Sequence, residues 1–274
     1  MIVCLTIWKI INAMGFKNIK IILSNLSAFF LDLIFPPRCI ICNEIFPKTE
    51  FCEKIHICHK CEDKVRFLKS FSSVCKKCSR PIDDDNILCA GCQVLTHSYD
   101  VCFSCVLYEN EMRESLLSYK FNDARYKYRD FAEIMLSEMN RISPFPHVDI
   151  ICSVPVSKKR KKRREFDHTA CISEYISKKT GIPYSKKALI KIKDTPPQST
   201  LSFKERQLSV KGAFKVQDKS AVFEKTVLLI DDIYTTGATV SEIAKILKRA
   251  GARYVVAFTL CITPDIDTGD DLKA

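Results

Sequence analysis

From about residue 99 onward, apolar positions follow two alternating rhythms. Residues 100–108 alternate apolar and polar, as a half-buried strand does. Residues 110–118 and 126–142 carry apolar side chains at helical spacing, and 148–155 is a short apolar strand. Residues 166–180 return to helical spacing and stop at Gly181. Residues 226–230 read as a buried strand, 239–250 as a helix stopped by Gly251, and 254–262 as another strand. Strands alternating with helices predict an α/β fold with a mostly parallel sheet flanked by helices.

The region before residue 99 follows neither rhythm throughout. Ile19, Ile22, Leu23, Leu26, Phe29, Phe30, Leu33 and Ile34 recur at helical spacing, with Lys20, Ser24, Asn25 and Asp32 between them. This predicts an amphipathic helix ended by Pro36 and Pro37, with its apolar face on the protein's own core and membrane-surface contact as the second reading. Lys9 interrupts the first apolar run, so no transmembrane span is expected. Residues 38–97 show little periodicity and cannot build a sizeable core alone. The pattern divides the chain into an N-terminal helix (1–37), a Cys-rich segment (38–97), an α/β domain (98–264) and a flexible tail rich in Asp and Thr (265–274).

Composition sharpens this picture. Of 274 residues, 47% are hydrophobic and only 7 are Gly, which suits a folded protein rather than a disordered one. The net charge is +11, and the run KKRKKRR at residues 158–164 supplies +7 of it, leaving +4 for the rest. That run is a candidate contact for a polyanion, either nucleic acid or pyrophosphate, against the plainer reading of a solvated loop. Cysteine is abundant, at 15 residues. The N-terminal segment has no basic start and no clear small-residue cleavage site, so a reducing, cytoplasmic setting is expected in place of a secreted disulfide framework.

Ten of the cysteines form five Cys-x-x-Cys pairs between Cys39 and Cys105. Cys39 and Cys42 pair by spacing with Cys58 and Cys61, and Cys75 and Cys78 with Cys89 and Cys92. Four thiolates around Zn²⁺ make a closed tetrahedral structural site, and two such sites explain how a core-poor segment folds. Cys102 and Cys105 lie in a strand-like run, where residues three apart face opposite sides and cannot share one metal. Cys52, His56 and His59 lie inside the first loop as substitute ligands or as ordinary surface residues. Cys4, Cys152, Cys171 and Cys261 read as small buried side chains.

The strongest chemical signal follows the strand at 226–230. Asp231 and Asp232 stand at its carboxyl end, where open α/β sheets bind ligands. Thr235, Thr236, Gly237, Ala238 and Thr239 then lead into a helix, whose first N–H groups are unpaired and partly positive and so suit a phosphate. Gly237 lets the loop approach the anion closely, and the Thr hydroxyls offer further donors. The acids are placed for the vicinal hydroxyls of a ribose rather than for the phosphate. A strand–turn–helix with two solvated acids is the plainer alternative.

This unit resembles the signature of type I phosphoribosyltransferases. Together with the paired cysteines, with FPPRCIIC from Phe35, SVPV from Ser153, DTPPQSTLSFKER from Asp194 and VKGAF from Val210, the chain resembles the ComF family over roughly residues 25–263. The resemblance implies a double zinc ribbon followed by a phosphoribosyltransferase-like domain. It implies that Asp231 and Asp232 hold the ribose hydroxyls of phosphoribosyl pyrophosphate, that Thr235 to Thr239 hold its 5-phosphate, and that Mg²⁺ accompanies the ligand. Pro155, Val156, Ser157, Lys158, Lys159, Arg160 and Arg164 would meet the pyrophosphate. Gln198 and Arg206 would belong to a flexible loop over residues 195–206 that closes on the substrate. Where the family usually shows Arg-Gly-Phe-Asn-Gln, this chain has Arg164, Glu165, Phe166, Asp167 and His168, and its Ser209 replaces a usual Asn. A carboxylate at 165 or 167 would oppose pyrophosphate unless Mg²⁺ or neighbouring cations offset it.

Three functions fit these features. The first is a phosphoribosyltransferase acting in DNA uptake, in keeping with the role in natural transformation that the resemblance implies. The second is a single-stranded-DNA-binding protein that uses the basic run, with competence or DNA-processing proteins as partners. The third is a non-catalytic sensor of phosphoribosyl pyrophosphate. The sequence names no acceptor substrate.

Overall fold

The computed structural model describes residues 36–45, 55–83, 86–122, 124–157, 166–195, 201 and 203–264. The expected helix over 19–34, Cys4, Cys52, Lys158, Lys159, Arg160, Arg164, Glu165, Gln198 and the tail 265–274 lie outside these residues.

Along the Cys-rich segment regular structure is limited to helical turns, chiefly α1 (His59–Glu62) and α2 (Ala90–Val94). Then follow β1 (Val101–Leu107), α3 (Asn110–Phe121), α4 (Tyr128–Arg141), β2 (Ile150–Ser153), α5 (His168–Thr180), β3 (Leu189–Lys191), α6 (Phe203–Val210), β4 (Phe214–Val216), β5 (Thr226–Tyr234), α7 (Ala238–Arg249) and β6 (Tyr254–Ile262). Four strands form one sheet in the order β1-β6-β5-β2, and every pair in it is parallel. A two-stranded antiparallel pair, β3 with β4, stands apart from it.

The residues of β6, YVVAFTLCI, are all buried after the first, as expected of a central parallel strand covered on both faces. Alternation sends its side chains into two cores. On one face Val227, Leu229, Val255 and Ala257 pack with Ile243 and Leu247 of α7 and with the second cysteine group. On the other, Leu228, Ile230, Val256 and Phe258 pack with Leu116 of α3, Met135 of α4, Ile172 of α5 and the first cysteine group. The two cysteine groups therefore straddle the sheet.

They also close its edge. Among the described strands β1 pairs with β6 on one side, so its outer backbone groups need partners. Cys102 N donates to Lys77 O at 3.0 Å, Cys102 O accepts from Ser79 Oγ at 2.9 Å, and Leu107 N donates to Arg66 O at 2.9 Å. Phe67 forms an antiparallel bridge to Val106. Cys102 falls in one core and Cys105 in the other, as residues three apart on a strand must.

The elements differ from the sequence reading in four places. Helix α3 runs to Phe121, one turn past residue 118, and α4 is preceded by a 3₁₀ turn at Arg125–Lys127. Strand β5 continues to Tyr234, because β6 keeps pairing with it through Ile233 and Tyr234. The β3–β4 pair is new, its three-residue strands being too short for alternation to reveal. Residues expected to belong to the closing loop turn helical at Phe203, where α6 starts.

Phe258 is fully buried at the centre of the second face and packs edge-on against Phe145, 5.9 Å between ring centroids. Phe258→Ala should lower the unfolding free energy by ~3–5 kcal/mol in urea denaturation. A loss below ~1 kcal/mol would contradict this two-faced core.

Candidate functional site

Two sets of cysteines converge. The sulfur atoms of Cys39, Cys42, Cys58 and Cys61 lie within 4.8 Å of one another, as do those of Cys75, Cys78, Cys89 and Cys92. A tetrahedron with Zn–S bonds of about 2.3 Å has edges of about 3.8 Å. The Cys42–Cys58 and Cys78–Cys89 sulfur separations are 3.9 and 3.6 Å, so both sets fit zinc. Hydrogen bonds from Cys78, Cys89 and Cys92 pull the Cys75 thiol far below its ordinary value, and the same crowding pushes Cys78 far above it. Four thiolates this close repel unless a cation sits among them.

The two sets share one backbone plan. Asn43 N donates to Cys39 O and Ser79 N to Cys75 O, with Asn43 and Ser79 both in the left-handed region at φ 63°. The second half of each begins with a cysteine whose carbonyl accepts from the start of a helical turn, α1 at Cys58 and α2 at Cys89. His56 is engaged elsewhere, its Nδ1 lying 2.8 Å from Asp130. His59 points to Glu62 at 3.7 Å and is largely exposed.

The acidic pair and the threonine–glycine loop stand at the carboxyl end of β5. Asp231 and Asp232 lie within the strand rather than after it, so they face opposite sides of the sheet. Asp232 takes the α3 side, where Lys120 Nζ reaches it at 2.7 Å. Asp231 accepts from the Asp232 backbone N–H at 2.9 Å. Burial, and then the neighbouring Asp232 carboxylate, push Asp231 up to about 8, while Lys120 and Lys191 pull the other way.

Gly237 adopts φ +74° and caps α7. A Cβ there would collide with the ring and hydroxyl of Tyr234, so the position excludes every other residue on two grounds. Thr236 is buried and its hydroxyl accepts from Ala238 N at 3.4 Å, which braces the loop from inside. Thr235 and Thr239 remain partly exposed.

Pro155, Val156 and Ser157 follow β2, the strand next to β5, so they sit at the same sheet edge as the acids. Val154 N donates to Ile230 O at 2.9 Å and holds that junction in register. Arg206 lies in α6, with Nε donating to Leu201 O at 2.9 Å. Asp167 caps α5 by accepting from Ala170 N at 3.1 Å, which directs its charge to the helix N-terminus. His168 is buried against Tyr119, with Nε2 3.0 Å from the Tyr119 carbonyl.

Three neighbours of the loop escaped the sequence reading: Lys120, Arg80 and the Tyr99–Tyr234 pair. Lys120 sits in the extra turn of α3, where a single lysine carries no distinguishing signal in the sequence. Arg80 comes from the second cysteine group and donates to Thr235 O at 2.7 Å and Thr263 O at 2.6 Å. Tyr99 and Tyr234 share a buried hydroxyl contact at 2.6 Å, with His97 stacked on Tyr99. Burial holds His97 down at about 4, so it is neutral near pH 7.

The chain is similar to several known proteins. The double zinc ribbon domain family matches residues 30–106. DNA utilization protein YhgH of Escherichia coli K12 is 28% identical over 207 residues, covering 69% of this chain and 90% of its own length. Competence protein ComFC of Bacillus subtilis is 28% identical over 224 residues, covering 74% and 83%. Competence protein F of Haemophilus influenzae is 25% identical over 208 residues, covering 74% and 89%. An adenine phosphoribosyltransferase from Thermoanaerobacter pseudethanolicus overlaps 56% of this chain and 78% of its own at 16% identity and a TM-score of 0.34. The match over residues 30–106, the paired tetracysteine groups and relatives that run most of the chain's length point the same way: this chain carries a double zinc ribbon ahead of a parallel α/β domain, and it is similar over most of its length to proteins named for competence and DNA utilization.

Proposed function

We propose that this protein binds phosphoribosyl pyrophosphate with Mg²⁺ at the carboxyl edge of its parallel sheet and serves in the uptake and use of DNA. The observation that carries the proposal is the single strand–loop–helix unit, in which the acids near the end of β5 lie six and five residues before a left-handed glycine at the start of α7. In this reading Asp231 and Asp232 take the ribose hydroxyls, and Thr235, Thr236, Gly237, Ala238 and Thr239 take the 5-phosphate with helix N–H groups and hydroxyls. Pro155, Val156 and Ser157 lead into a basic run that meets the pyrophosphate, with Gln198 and Arg206 on the covering segment. Mg²⁺ would neutralise the pyrophosphate leaving group. Residues 38–97 act as the ribbon module and 98–264 as the ligand-binding domain. The tetrathiolate sites suit a reducing compartment, and among the described residues no helix is long and apolar enough to cross a membrane.

Lys120 refines the chemistry. An ammonium lies 2.7 Å from Asp232 and sets an opposite charge beside it, while Asp231 without ligand holds its proton near neutrality. Transfer at the anomeric carbon would then depend on positioning and charge stabilisation, with an acceptor still to be identified. The names of the relatives favour a second reading, in which the protein handles single-stranded DNA through the basic run at 158–164.

Thermal shift with Mg²⁺ tests the ligand. Phosphoribosyl pyrophosphate should raise the melting temperature, and Asp231→Ala/Asp232→Ala should remove the rise; no shift in the wild type would sink the proposal. Pyrophosphate release on adding nucleobases or nucleic acid marks a transferase. Salt-dependent binding of single-stranded DNA that survives the double variant but weakens when residues 158–164 are neutralised marks the second reading.

A raised Asp231 pKa makes a stability prediction of definite sign. Between about pH 4 and pH 8 the native state holds a proton that the unfolded chain has released, so this group's contribution to stability falls as pH rises through that window. Asp231→Asn should therefore stabilise the ligand-free protein, more at pH 8 than at pH 5, while weakening ligand binding. Equal melting shifts at the two pH values would contradict the assignment.

Zinc gives a third test. Mass spectrometry under native conditions should find two zinc ions per chain, and strong chelators should remove both and unfold the Cys-rich segment. A count of zero or one would contradict the tetrathiolate assignment.

A further inference from the structure

The two cysteine groups match in backbone, and they differ at one telling position. Arg38 bridges Ile45 in the first, and Val74 bridges Pro81 in the second. After the left-handed Asn43 comes Glu44, while after the left-handed Ser79 comes Arg80. Arg80 is only 4% exposed. Its Nη2 donates to Thr235 O at 2.7 Å and its Nη1 to Thr263 O at 2.6 Å. Thr263 N in turn donates to Tyr234 O at 3.0 Å. One guanidinium thus ties the ends of β5 and β6 at the point where the threonine–glycine loop begins.

Its effect on that loop follows from peptide geometry. A trans peptide is planar, with its C=O and N–H pointing in opposite directions. With Thr235 O drawn to Arg80, the Thr236 N–H of the same peptide must point away from Arg80. Without Arg80 that peptide loses the bond that fixes its orientation, and a donor can turn into an acceptor facing an anion.

The charge is unusual as well. Among the described residues no carboxylate pairs with Arg80, its partners are the carbonyls of Thr235 and Thr263 and, at 3.4 Å, the Thr263 hydroxyl, and its Nε is buried without a partner. A buried cation is ordinarily compensated by an acid. Here the thiolates of the second cysteine group, which outnumber the charge of one Zn²⁺, face it from one side, and an anion held in the loop above would face it from the other. The strap does not stand alone: Ser98 N donates to Ser241 Oγ at 3.0 Å, and Tyr99 meets Tyr234, so the segment after the second cysteine group grips both β5 and α7.

We propose that Arg80 is a positioning residue for the 5-phosphate site, orienting the Thr235–Thr236 peptide and placing beneath it a positive charge with no carboxylate partner, so that phosphate binding depends on the second zinc ribbon. This inference rests on the reading of residues 235–239 as a 5-phosphate site. The first ribbon, with Glu44 at the matching place, has no such part.

Calorimetry on the full zinc-loaded chain tests it with ribose 5-phosphate, and with inorganic pyrophosphate plus Mg²⁺ as the comparison. Arg80→Gln should weaken ribose 5-phosphate by about tenfold or more, in line with losing an oriented donor to a charged group. Arg80→Lys should recover part of the loss, because an ammonium keeps the charge but lacks the planar fork. Pyrophosphate affinity should change less than about twofold, and zinc should stay at two per chain. Unchanged ribose 5-phosphate binding in Arg80→Gln overturns the proposal, and so does an equal loss for both ligands, which would show a general structural role. A wild type that binds no ribose 5-phosphate removes the underlying site reading, and this inference with it. A measurement independent of variants is the Thr236 amide in ¹⁵N-threonine-labelled wild type. It should shift downfield on adding ribose 5-phosphate, and a Thr236 signal that stays still while ligand binds overturns the assignment.

Discussion

Four thiols within 4.8 Å of one another cannot all carry charge unless a cation lies among them, and two such groups hold together a segment with almost no core of its own. Everything else at the ligand end of the molecule is built on that constraint. The segment supplies the backbone groups that cover the free edge of β1, it fills part of both sheet faces, and it sends one side chain under the loop after β5. The cysteine groups set the frame on which the chemistry would take place, and the second of them shares one core with Tyr234 at the root of the loop.

The loop end of the sheet combines groups of opposite demand. The helix start and Arg80 favour a negative guest, while Asp231 and Asp232 favour hydroxyls or a metal cation. Without a ligand the conflict is relieved locally: Lys120 neutralises Asp232, and Asp231 keeps its proton. A molecule carrying a phosphate at one end and a diol a few ångströms away would answer both demands at once. This is why the pair and the loop are read as one site rather than two.

Much of this was legible from the residues. The long strands and helices announce themselves because β6 is apolar almost throughout and α7 keeps a helical stripe ended by Gly251. The grouping of the cysteines follows from spacing, and the exclusion of Cys102 and Cys105 from strand alternation. What could not be read depends on distance. Arg80 and its acceptor Thr235 are 155 positions apart, and no local pattern links them. Lys120 needed the last turn of α3, beyond where apolar spacing fades. The β3–β4 pair has three residues per strand, too few for alternation to stand out from chance. Asp167 looked like a misplaced charge beside the basic run, and it caps α5 instead, a role visible only once the helix start is fixed.

Tyr234 and Gly237 form a coupled pair of positions. The ring fills the space that any larger residue at 237 would need, and its hydroxyl meets Tyr99 in the interior. Neither site can drift alone: a smaller side chain at 234 would make room at 237 but strand the Tyr99 hydroxyl, and the left-handed backbone at 237 would still resist a β-carbon. In the divergence of such chains these positions should change together with 99 or not at all, which makes this trio a more stringent mark of the loop's geometry than the threonines that flank it.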